Sequence, residues 1–100
     1  MILPESELIA AVTRDRAAGK RLGFLALSFE LLRVGDVRKI QTAAADVDRL
    51  VVAVVEGDGV IAIGDRAEIV DSVRGAGYVV ICPAARVDAL AALIRPDVRA

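Results

Sequence analysis

Three charged side chains, a serine and a glycine lie between Leu27 and Asp36, where an apolar segment runs into a predicted helix. The residues are Leu27-Ser28-Phe29-Glu30-Leu31-Leu32-Arg33-Val34-Gly35-Asp36. A helix that begins near Val34 offers unpaired N–H groups and a partial positive charge at its first turn. The Arg33 guanidinium is a good hydrogen-bond donor to phosphate oxygens. A strand that ends at such a helix start is typical of phosphate binding in α/β domains.

Asp36 gives this corner an unusual charge, because its carboxylate lies where a phosphate would approach. At about 4 Å, a carboxylate repels a phosphate oxygen by roughly 1–4 kcal/mol for effective dielectric constants of 80 to 20. It also donates no proton near neutral pH. A carboxylate in a first helical turn is favourable by about 0.3–1 kcal/mol without any function, and this is the simpler interpretation of Asp36.

Alternating helices and apolar strands must position this corner. The hydrophobic pattern predicts helices over 5–18, 34–45, 66–74 and 86–94, strands over 21–27, 49–55 and 78–82, and a short additional strand over 60–63. Near-continuous apolar strands between helices indicate a buried parallel sheet with right-handed crossovers. We therefore predict the α/β class, as a Rossmann-like three-layer α/β/α fold with a small, mainly parallel sheet, in one domain over 1–100.

Side-chain spacing adds local expectations to this outline. The second helix is expected to face the sheet with Val34, Val37, Ile40 and Ala44. Asp65 is expected to cap the third helix, with Glu68 completing a capping box. Cys82 lies in an apolar segment and is expected to be a core residue, and Tyr78 is expected to serve packing. Gly35 is assigned to close helix–sheet packing in preference to ligand approach.

The spacing of the corner resembles the cytidylyltransferase family of nucleotidyltransferases, especially the nucleotidyltransferase domains of bacterial ADP-heptose synthases. That family carries Gly-Cys-Phe-Asp, two apolar residues and His-x-Gly-His; the matching residues here are Leu27-Ser28-Phe29-Glu30, Leu31-Leu32 and Arg33-Val34-Gly35-Asp36. Further segments that resemble the family are 18–21, 48–54, 66–80 and 95–98. The resemblance starts near Ala17 and spans most of the chain.

The resemblance implies a transfer of a nucleotidyl group from a nucleoside triphosphate, with Mg²⁺, to a sugar or polyol phosphate. The nucleotide-binding positions that it implies are Ser28, Phe29, Glu30, Arg33 and Gly35. The two catalytic histidines of the family fall on Arg33 and Asp36.

Several positions depart from the family pattern in the same direction. Neither histidine is present, Leu27 replaces a glycine, and Glu30 replaces an aspartate. The second strand ends in Val55-Glu56-Gly57-Asp58 where the family has an Asn-Ser-Asp-like ending and a basic loop, and the fold is expected to be a truncated version. These losses favour a degenerate domain without nucleotidyl transfer that acts by binding or self-association. The alternatives are an active enzyme that uses Arg33 and Mg²⁺, and a nucleotide or anion sensor.

Composition limits the partners. The hydrophobic fraction is 56%, above the usual range of about 45–50%, so a homodimer that covers an apolar face is expected. The net charge of -1 gives no reason to expect a nucleic-acid or membrane partner, and the cytoplasm is the expected location. One cysteine and no histidine argue against zinc. The acidic residues Glu56, Asp58 and Asp65 lack a calcium-loop spacing and are interpreted as a solvated turn, so no metal site is assigned.

Overall fold

The described strands form one parallel sheet in the order β3-β2-β1-β4. The computed structural model describes residues 1–30, 32–57, 59 and 61–100. The elements are α1 (Glu5–Ala17), β1 (Leu22–Leu27), α2 (Val34–Ala45), β2 (Arg49–Val55), α3 (Ile63–Asp71), β3 (Tyr78–Cys82), α4 (Val87–Ile94) and β4 (Val98–Arg99), with a 3-10 turn at Ala84–Arg86. The chain moves outward from β1 through β2 to β3 and then returns to the other side of β1. The order therefore reverses between β1 and β4, the place where open α/β sheets bind ligands.

Alternation along β2 explains the three layers. Leu50, Val52 and Val54 belong to one core cluster, together with buried residues of α2 and α3. Val51 and Ala53 belong to the other cluster, with buried residues of α1 and α4. Successive side chains of a strand point to opposite faces, so an unbroken apolar strand needs helices on both sides. The predicted α/β/α fold with a parallel sheet is confirmed.

Two expectations about α2 and α3 are wrong. Val34 is 65% exposed and does not face the core; Ile40 and Ala43 are the buried α2 residues. The strand predicted over 60–63 is also wrong where it is described: Ile63 begins α3, and Val60 lies outside the described residues.

The predicted capping by Asp65 is wrong as well. The N–H of Arg66 donates to the carbonyl of Ala62 at 2.9 Å, so the helix has already begun before Asp65. Asp65 therefore lies inside the first turn, and Ala62 is the cap. The helix also ends at Asp71, and the chain turns at Gly75, whose φ of +108° disfavours any side chain.

Tyr78 does more than pack. Its hydroxyl donates to Asp15 Oδ2 at 2.5 Å, and Arg49 Nε lies 3.9 Å from the same oxygen. This bond joins the start of β3 to α1. The hydrogen bond to the Asp15 carboxylate raises the pKa of Tyr78 above its ordinary value, because losing the phenolic proton would put two negative charges together.

We expect the stability contributed by this bond to be complete below about pH 10, the ordinary tyrosine pKa, and to disappear as the pH rises through the raised pKa of Tyr78. Tyr78→Phe should lower the free energy of unfolding by about 1 kcal/mol at neutral pH and remove this pH dependence. Urea unfolding measures the first effect. Urea unfolding of both proteins over a pH series measures the second. Ultraviolet absorbance follows the Tyr78 titration in the native protein directly, because Tyr78 is the one tyrosine and the chain has no tryptophan. An ordinary tyrosine titration in the folded protein would contradict the expectation.

Candidate functional site

The candidate site is the corner that joins the carboxyl end of β1 to the start of α2. Two non-glycine residues in it have positive φ, Phe29 at 54° and Leu32 at 43°, a conformation that costs free energy and persists where surrounding contacts hold it. The Phe29 ring is 2% exposed and packs in the α2/α3 core. Only the backbone of Phe29 is therefore left to contact a ligand at the predicted position.

Asp36 is hydrogen-bonded to the backbone at the start of α2. Its Oδ2 accepts the backbone N–H of Arg33 at 3.0 Å, and its own N–H donates to the Arg33 carbonyl at 2.9 Å. The carboxylate thus satisfies one of the donors that a helix leaves unpaired at its N-terminus, and it is half-buried there. This geometry agrees with the simpler interpretation, in which Asp36 stabilises the helix.

A cavity of about 370 Å³ lies in front of this corner. The predicted residues Ser28, Phe29, Glu30, Arg33 and Asp36 line it, and Leu27 and Lys39 complete the lining. Two cationic and two anionic side chains face one space, so the lining carries no net charge. The site is therefore less electropositive than a triphosphate site requires.

The Arg33 side chain is exposed, and in the described part of the chain it forms no ion pair with Glu30, Asp36 or any other carboxylate. Lys39 is likewise exposed on the wall of the cavity. Both cations are thus available on the solvent side of the corner.

Gly35 is not packed against the sheet. A Cβ built on Gly35 meets no atom within 4 Å, and the residue is exposed. The assignment of Gly35 to close helix–sheet packing is therefore wrong. Gly35 instead borders open space beside α2.

Arg66 is the residue that sequence reasoning missed. Its side chain on α3 is 1% exposed, Nη1 donates to the Ser28 carbonyl at 2.7 Å, and Nη2 donates to the Gly57 carbonyl at 2.8 Å. Nε has no partner. A Cβ on Gly59 would lie 3.5 Å from the Arg66 Cζ, so Gly59 lies against the guanidinium. Arg66 therefore ties the chain after β1 to the chain after β2 and supports the corner from within.

The sequence carries little signal for this role. Arg66 precedes Ala67, which is also buried, and one charged residue beside an apolar one reads as a surface position on a helix. The resemblance to a family resumes at Arg66 but does not indicate what its side chain touches.

The other candidate residues are Cys82 and the acidic residues after β2. Cys82 is 1% exposed, as predicted, and burial raises the pKa of its thiol. Glu56 and Asp65 are exposed, and Asp58 lies outside the described residues. Within the described ranges, no three His, Cys, Asp or Glu residues are grouped closely enough to hold a metal ion. The helices in those ranges are all too short or too polar to cross a membrane.

The chain resembles known proteins in sequence over about half of its length and in fold over most of it. No family model matches the chain. Bifunctional protein HldE of Hyphomonas neptunium (strain ATCC 15444) is 45% identical over 51 residues, which are 51% of this chain and 10% of that protein. The chain thus matches about a tenth of that relative's length. The crystal structure of the lipopolysaccharide core biosynthesis protein from Thermoplasma volcanium GSS1 superposes with a TM-score of 0.73 over 81% of this chain and 73% of the other, at 13% identity. This second similarity concerns the fold.

Proposed function

We propose that this chain is a degenerate cytidylyltransferase-like domain without nucleotidyl transfer activity, acting by binding or self-association. The similarity to HldE over 51 residues and the shared fold support this proposal. The observation that carries the proposal is the Asp36 carboxylate, which accepts a hydrogen bond from the Arg33 backbone N–H at the start of α2. Nucleotidyl transfer depends on positioning and on donors aimed at the negative charge that builds up on the phosphoryl oxygens. Asp36 brings a negative charge to that place instead, and its hydrogen bond to Arg33 holds it there.

The rest of the cavity supports the same proposal. Its two cations are opposed by two carboxylates, and the Leu27 side chain occupies a position where the family has a glycine. The Arg66 guanidinium does not compensate, because it is buried and both of its terminal nitrogens donate to carbonyls. No described group lining the cavity combines the donor and proton-transfer roles of the family's histidines.

A nucleotide or anion sensor is the second candidate. It is favoured by the exposed Arg33 and Lys39, which share one cavity wall and lack ion pairs among the described residues. Two such side chains can hold a phosphate from the solvent side without donors at the helix start.

The test is a pair of measurements on the purified protein. Pyrophosphate release from CTP or ATP with Mg²⁺ and a sugar or polyol phosphate should stay at background. Turnover that disappears in Arg33→Ala would contradict the proposal and support an active enzyme with relocated chemistry. Calorimetric titration with CTP and ATP separates the candidates: no heat agrees with a domain that acts through self-association. Heat that is lost in both Arg33→Ala and Lys39→Ala, without turnover, supports the sensor.

A further inference from the structure

We draw no further inference here: the strongest candidate, the buried Arg66 guanidinium on α3, whose Nε has no hydrogen-bond partner among the described residues, belongs to the site already described and does not line the cavity in front of the corner, so nothing in the structure shows a ligand that it would meet.

Discussion

Arg66→Ala should lower the free energy of unfolding by about 3–5 kcal/mol, a large share of the 5–15 kcal/mol typical of a whole domain. The substitution removes two charge-assisted hydrogen bonds and leaves the carbonyls of Ser28 and Gly57 without their donor. It also opens a cavity beside Gly59, which lies against the guanidinium. Urea unfolding followed by circular dichroism measures the loss.

Arg66→Lys separates charge from geometry. The lysine keeps the positive charge, but one ammonium group cannot reproduce the planar fork that spans two carbonyls. We expect an intermediate loss of about 1–3 kcal/mol. Hydrogen exchange of the backbone amides at Phe29 and Glu30 should quicken in both variants, because the chain after β1 loses its support from α3.

Arg74→Ala is the matched control, since Arg74 is exposed in the turn after α3. Its effect should remain within about 0.5 kcal/mol. Arg66→Met tests whether the hydrogen bonds matter at all. It removes the charge, the hydrogen bonds and Nε, which has no partner among the described residues, while it keeps much of the side-chain volume. If Arg66→Met is as stable as the native protein with unchanged exchange at Phe29, the hydrogen bonds do not hold the corner.

Asp36→Asn should raise the affinity of the corner for inorganic triphosphate and CTP by about fivefold to several hundredfold. This range corresponds to the removal of a repulsion of roughly 1–4 kcal/mol. The amide oxygen of Asn can still accept the Arg33 N–H, so the start of α2 should persist. The expected loss of stability is only the charge–dipole contribution of about 0.3–1 kcal/mol. Calorimetry with both probes, at low salt, measures the gain.

Two variants make this result interpretable. Asp65→Asn removes a carboxylate from the first turn of α3, where the side chain is exposed, and should leave triphosphate affinity unchanged. Asp36→Ala loses the hydrogen bond as well as the charge, so it should gain affinity and lose about 1 kcal/mol of stability. If Asp36→Asn binds no better than the native protein, Asp36 is not what keeps phosphate out of the corner.

Sequence periodicity predicted most of the scaffold. The bounds of α2, β2 and β3 agree with the predicted ranges, because each has a clear hydrophobic pattern and a charged or glycine-containing boundary. The role of Asp36 was also accessible, since a carboxylate in a first turn acts on N–H groups within a few residues. The errors at Val34 and Asp65 arose where the first turn of a helix is exposed or where the helix begins earlier than its charged residues indicate.

The sequence by itself determined the α/β class, the layered sheet and the acidic start of α2, because these follow from periodicity and contacts between near neighbours. Only the tertiary structure decided that Arg66 is buried, because its two carbonyl partners lie 38 and 9 residues away in the chain. It also decided that β4 returns beside β1 and does not continue outward past β3. Strand order and charge burial depend on which distant segments meet, and no local pattern in the sequence encodes that meeting.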